Sequence, residues 1–135
     1  MKPVAVKPLD LRLDPRVRQA DVRRGHRFQP PKAELAKIPR LYATEQVDTA
    51  DQIVHLHYFV GACDWYITEI DPETFQAFGF ANLGDDRCAE WGYIDLIELA
   101  VSTVATAIGP NGATFRQPVE RDLYFDPKPF GEVIR

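Results

Sequence analysis

Cysteine is scarce in this 135-residue chain: Cys63 and Cys88 are the only two. No CxxC and no Cys/His spacing of a zinc site accompanies them. A disulfide framework or a structural metal is therefore not expected, and both read as buried or half-buried thiols. Long apolar runs are also missing. Nothing approaches the roughly 18 residues of a membrane span, and the opening MKPVAVKPLDLRLDPRVR has no continuous apolar stretch resembling a secretory signal. The expectation is a cytoplasmic protein without a membrane partner. The chain has no phosphate-cradling Gly-rich loop, no GxSxG elbow and no HExxH. Its lone serine, Ser102, falls inside a predicted helix, a poor place for an activated nucleophile. No cofactor is implied. Aromatics are nearly absent from the first part: of the 2 Trp, 5 Tyr and 8 Phe, only Phe28 precedes Tyr42. That part is expected to supply little core.

The composition itself, 45% apolar and 27% charged, is that of a soluble globular domain. Charge is distributed unevenly along it. The net charge of -4 hides a segregation: residues 1–40 hold 11 Lys or Arg against 4 Asp or Glu, a net +7, and residues 41–135 hold 5 against 16, a net -11. Pro3, Pro8, Pro15, Pro30 and Pro31 lie around the basic run Arg23-Arg24-Gly25-His26-Arg27. Spaced prolines interrupt helices and cannot donate to a sheet ladder. They predict an extended basic arm over residues 1–30, ahead of an acidic domain over 31–135. Three roles compete for such an arm. It neutralises nucleic-acid phosphates through Arg16, Arg18, Arg23, Arg24 and Arg27, or it lies along the acidic domain of its own chain or of a second copy in a homo-oligomer, or it is a solvated tail.

From Pro30 the pattern changes. Pro31 suits the first turn of a helix, Lys32 to Ile38 offers helix formers with Leu35 and Ile38 three apart, and Pro39 ends it. IVHLHYFV over residues 53–60 reads as a strand, Gly61 to Asp64 as a turn, and Trp65 to Ile70 as a second strand. Strict alternation there puts Trp65, Ile67 and Glu69 on one face and Tyr66, Thr68 and Ile70 on the other. FQAFGFA over 75–81 and the stretch around Glu90 to Tyr93 complete an antiparallel meander. Asp95 resembles an N-cap with Glu98 three residues on, and Ile94, Ile97, Val101, Val104 and Ile108 recur at helical intervals, predicting a helix that runs to Gly109. ERDLYF over 120–125 reads as a last strand, with a turn and short helix after it. The fold class is α+β: a small antiparallel sheet of about five strands with helices packed on one face.

Leu41-Tyr42-Ala43-Thr44-Glu45, Tyr58-Phe59, Trp65-Tyr66-Ile67-Thr68-Glu69, Phe78-Gly79-Phe80, Glu90-Trp91-Gly92-Tyr93 and Glu120-Arg121-Asp122-Leu123-Tyr124-Phe125 follow one another in this order. Together they resemble a family of bacterial proteins carried by plasmids, integrative elements and phages, number two-nine-five-eight in the domain-of-unknown-function series. The resemblance covers roughly residues 35–130. It implies an accessory factor of mobile DNA and supplies no catalytic residues. The arm before Pro30 and the long stretch Ala100 to Gln117 depart from the pattern.

Catalysis would need convergent carboxylates, and Glu69, Glu120 and Asp122 are the candidates for a hard cation, with His55 and His57 on one strand face as ligands or bases. Two histidines in a strand are more often ordinary hydrogen-bonding residues, and no metal is assigned. In a strand, Arg121 shares a face with Leu123 and Phe125, so a carboxylate is expected to receive it. Glu69 is the leading partner of this structural ion pair. Glu120, Asp122 and Tyr124 then face solvent or the arm, and with Trp91 they make a candidate interface. The expected function is a non-enzymatic accessory binding protein acting on nucleic acid through the arm, or on a nucleic-acid-processing or defence enzyme through the acidic domain. An acidic nucleic-acid mimic and a metal-dependent hydrolase are the alternatives.

Overall fold

In the computed structural model, which describes residues 9–134, the second part of the expected arm is helical rather than extended. Residues 1–8 of that arm lie outside the described residues. Asp10 accepts from the Arg12 amide and caps a 3-10 turn over Leu11–Leu13. Asp14 then accepts from the Arg16 amide and caps α1 (Pro15–Arg24). Pro15 occupies the first turn, where a missing N–H breaks no helical bond. The proline that suggested extension thus begins a helix. Gly25, in the left-handed region at φ 85°, ends it. Leu11, Val17 and Phe28 are all buried, so this aromatic-poor segment contributes to the core after all.

The remaining elements follow in chain order: α2 (Lys32–Leu35), β1 (Ile53–Val54), β2 (Leu56–Val60), β3 (Cys63–Ile70), β4 (Gln76–Asn82), β5 (Glu90–Asp95), α3 (Leu96–Val101), β6 (Thr103–Ile108), β7 (Thr114–Pro118), β8 (Glu120–Arg121), β9 (Lys128–Pro129) and α4 (Phe130–Val133). Five strands form one antiparallel sheet in the order β5-β4-β3-β2-β8. The meander and the α+β class are as the sequence pattern implied. β1 pairs with β9, and β6 with β7, outside this sheet. No helix among the described residues is long and apolar enough to cross a membrane.

One face of the sheet makes the core. Leu56, Tyr58 and Val60 of β2 oppose Ile67, Trp65 and Cys63 of β3, and this surface is closed by Val17, Phe28, Leu96, Leu99 and Ala100. Phe28 stacks on Tyr58 at 4.2 Å, and the Tyr58 hydroxyl donates to the Phe28 carbonyl at 2.9 Å. Burial holds that phenol well above its ordinary pKa, so it stays a donor.

The alternation expected for β3 breaks at Thr68. Ile67 opposes Gly79, but Glu69 opposes Phe78, so Thr68 is an extra residue without a partner on β4. A one-residue bulge inverts the faces beyond it. Ile70 therefore joins Ala77 in the core, and Glu69 moves to the opposite face.

The expected helix from Asp95 to Ile108 is also only half present. Asp95 accepts from the amides of Ile97 and Glu98 and starts α3. After Ser102 the chain turns extended and pairs as the hairpin β6–β7. The residues concerned, Thr103, Val104, Thr106 and Ile108, are β-branched and favour a pleated surface, and the Ser102 hydroxyl donates to the Glu98 carbonyl at the helix end.

Candidate functional site on the open face of the sheet

The face turned away from the core is aromatic. Cross-strand partners share a face, so the pairs His57 with Tyr66, Tyr66 with Phe80, Phe80 with Trp91 and Phe78 with Tyr93 place these rings in one layer. Phe130 from α4 packs on Trp91 and Phe80 with ring centroids 4.8 and 5.0 Å away. Phe125 packs on His57 at 5.8 Å. The rest of the layer, around Phe78, Trp91 and Tyr93, is left as a cleft of about 510 Å³ whose other wall is the loop carrying Tyr42, Thr44 and Glu45.

Glu69 holds that loop in place. Its carboxylate accepts from the amides of Tyr42 at 3.0 Å and Thr44 at 2.9 Å, and from the Thr44 hydroxyl. The residue is 5% exposed. A buried carboxylate is retained only when its lone pairs are filled, and here the fillers are backbone amides of the LYATE segment. Gln52 completes the loop by donating to the carbonyls of Thr44 and Val47. Tyr42 sits at φ 73°, a region that bulky side chains rarely occupy. Its ring is thereby thrown to the rim, where the Tyr42 and Tyr93 hydroxyls lie 2.8 Å apart. That hydrogen bond is the main cause that raises the Tyr93 pKa.

The expected ion pair between Arg121 and Glu69 does not form. Arg121 opposes Tyr58 on the core face, and the bulge has sent Glu69 to the other. Arg121 instead donates from Nε to the Arg27 carbonyl at 3.1 Å, while its amide donates to Nε2 of His26 at 3.1 Å. A carbonyl of the preceding segment takes the place of the carboxylate. ERDLYF is a strand only over Glu120–Arg121. Beyond it a turn forms in which Asp122 accepts from the Tyr124 amide, which is why Phe125 reaches the open face rather than the core.

His57 occupies the centre of a second polar group. Its Nδ1 lies 2.9 Å from Asp122 and its Nε2 2.7 Å from Asp64, and the ring stacks on Tyr66 at 4.7 Å. Each ring nitrogen thus faces one carboxylate, and the imidazole bridges Asp64 and Asp122. His55 falls between β1 and β2 and hydrogen-bonds through its amide to Ile67; burial lowers its pKa. The carboxylates Glu69, Glu120 and Asp122 do not converge. Glu69 is spent on the Tyr42 loop, Asp122 on His57, and Glu120 sits opposite Phe59. Among the described residues no group of three His, Cys, Asp or Glu side chains could hold a metal ion.

The arginines predicted for nucleic acid are largely engaged within the chain. Arg24 is buried on α1, seven residues from Val17. Its guanidinium lies 5.0 Å above the Phe28 ring, donates to the Ala100 carbonyl and sits 3.4 Å from Asp21. Arg16 is paired with Asp14, and Arg23 donates to the Arg116 carbonyl. Arg18 and Arg27 are exposed. Of the candidate interface, Tyr124 is fully open and Trp91 is half-buried among the rings described above. Sequence reasoning missed Tyr42 as the exposed partner of Tyr93 and His57 as the residue that bridges two aspartates. It also missed the Asp-x-Arg spacing at Asp10, Asp14 and Asp85, where each aspartate caps a turn and pairs with the arginine two residues on.

These features define an α+β protein whose sheet is closed by helices on one side and opens as an aromatic cleft on the other. The chain belongs to the family described as protein of unknown function (DUF2958), whose model matches residues 31–130. No curated protein and no solved structure matches it.

Proposed function

We propose that this protein is a non-enzymatic accessory binding protein of a mobile genetic element, and that it acts on another protein, a nucleic-acid-processing or defence enzyme, through the open face of its sheet. The mobile-element setting is what the family resemblance implies. The contrast between the two charged surfaces carries the choice of partner. On the basic side, Arg16, Arg23 and Arg24 are bound to carboxylates or carbonyls of their own chain. On the open face, the rings of Tyr42 and Tyr93 are 59% and 54% exposed, beside a loop whose Glu45, Asp48 and Asp51 are exposed. Exposed aromatics on a fixed scaffold are the usual anchors of a protein interface. An acidic surround repels phosphates and is drawn to the basic channel of a nucleic-acid enzyme. A nucleic-acid-mimicking inhibitor is one form this action can take.

The test uses the full chain. Labelled single- and double-stranded DNA and RNA are titrated across a salt series, and a photo-crosslinking residue is placed at Tyr93 or, as the control on the opposite side, at Arg18. The expected result is no binding with a steep salt slope and protein adducts from position 93 alone. Salt-sensitive nucleic-acid binding that disappears in the Arg18→Gln, Arg27→Gln variant would overturn the proposal, as would adducts formed only from position 18.

A further inference from the structure

The cleft on the open face has a composition that selects one kind of occupant. Its floor and walls are the rings of Phe78, Trp91, Tyr93 and Tyr42, and its lining includes Glu45 and Glu69 with no Lys, Arg or His among the described residues. Phe78 meets Tyr93 edge-on at 5.5 Å and lies nearly parallel to Trp91 at 6.0 Å. The volume of about 510 Å³ is within the range of side-chain and small-ligand sites. Glu69 is already filled by the Tyr42 loop, but Glu45 is exposed at the rim with no cation in the lining, which disfavours a phosphate or any other anion and leaves a carboxylate open to a cationic partner. Aromatic faces attract a cation, and a planar guanidinium can stack on a ring while its edge donates to carboxylate and amide oxygens.

The local backbone adds an independent observation. Tyr42 is held at φ 73° by the amide bonds that Glu69 accepts. Such conformations persist where the surrounding structure over-determines them. Here the Tyr42 ring meets Tyr93 edge-on, with centroids 6.4 Å apart, in the lining of the cleft.

We propose that this cleft is a receptor for an arginine side chain presented by a partner protein, its guanidinium stacked among Trp91, Tyr93 and Tyr42 and paired with Glu45. The assignment rests on the proposed protein-binding function for the identity of the partner. It fits that function because enzymes that handle nucleic acid expose arginines for phosphate contact. The charge on the acidic part of the chain favours the same approach through long-range attraction.

The experiment is a titration of the full chain with three probes: a short peptide carrying one arginine, the same peptide with lysine in its place, and thymidine monophosphate. The indole N–H resonances of the two tryptophans are followed. Trp91 lines the cleft, whereas Trp65 is buried on the core face and serves as an internal control. The arginine peptide is expected to shift Trp91 and leave Trp65 unmoved, with affinity falling as salt rises. Tyr93→Ala and Glu45→Gln should each weaken it about fivefold to tenfold, and Tyr93→Phe, which keeps the ring, should not. Both side chains are exposed, and Glu45→Gln keeps a polar group of the same shape, so a folding defect in one variant leaves the other decisive. Equal or tighter binding of the lysine peptide overturns the arginine assignment. A Trp91 response to the nucleotide alone, or an arginine response that survives both variants, overturns the site. Arginine binding at the cleft without adducts from position 93 would locate the failure in the choice of partner enzyme instead.

Discussion

Glu69 gathers two amides and a hydroxyl of the Tyr42 loop onto one buried carboxylate, so a single side chain decides whether one wall of the cleft exists. Glu69→Gln keeps the size but turns one acceptor into a donor facing an N–H. The expected cost is about 1–3 kcal/mol in urea unfolding, together with loss of the backbone resonances of Tyr42 and Thr44 from their folded positions. Unchanged stability would show that the loop is held by other contacts. His26 makes a second prediction. Its Nε2 accepts from the Arg121 amide at 3.1 Å, and burial, the largest influence, holds its pKa below the ordinary 6.5. The native state therefore binds fewer protons here than the unfolded chain does. The contribution to stability is fully present above about pH 6.5 and is lost as pH falls through the lower native pKa. His55, also lowered by burial, acts with the same sign. His26→Gln retains an acceptor that does not titrate, so it should flatten part of the acid-side fall in unfolding midpoint between about pH 7 and 5. Identical pH slopes in the two proteins would refute this.

Between elements, the register of β3 on β4 determines what the sheet presents. The bulge at Thr68 lies opposite Gly79, and a Cβ on that glycine would run into the backbone carbonyl of Tyr66. Backbone cannot yield as a side-chain tip can. Gly79→Ala is therefore expected to cost about 3 kcal/mol or more, at the upper end of ordinary point substitutions, or to force the two strands apart and undo the placement of Glu69 and Phe78. Equilibrium unfolding measures the first outcome, and the cross-strand contacts of Glu69 with Phe78 and of Ile70 with Ala77 report the second. A variant with native stability and native contacts would refute the close approach of the Tyr66 carbonyl to Gly79. The glycine is legible in the sequence as part of Phe78-Gly79-Phe80, but the reason for it is visible only when the facing strand is in place.

For the molecule as a whole, the decisive fact is that the N-terminal segment is structural. Leu11, Val17 and Phe28 are buried to 1% exposure or less, and burying side chains of this kind contributes about 1.5–3 kcal/mol each. Their sum is comparable with the net stability of about 5–15 kcal/mol typical of a domain. Removing residues 1–30 is therefore expected to leave a chain with poor amide dispersion and no cooperative thermal transition. A cooperative transition near that of the full chain would show the segment to be an accessory. Arg24 explains why charge counting misjudged this region: seven residues from Val17, it falls on the same buried stripe, and its charge is offset inside by Asp21, the Ala100 carbonyl and the Phe28 ring. A basic count along the chain does not distinguish such a residue from one that faces solvent.

The sequence by itself determined the strand meander, the α+β class, the cap at Asp95, and the family. Each depends on local alternation, on local turn chemistry, or on motifs in a fixed order. Only the tertiary structure decided which face Glu69 occupies, where Arg121 finds its acceptor, that residues 103–108 form a hairpin, and that the open face becomes an aromatic cleft. Strand alternation has a period of two, so one unpaired residue at Thr68 reverses every assignment beyond it. That extra residue is defined by pairing with Gly79 and Phe78 on another strand, which the local pattern along β3 does not contain.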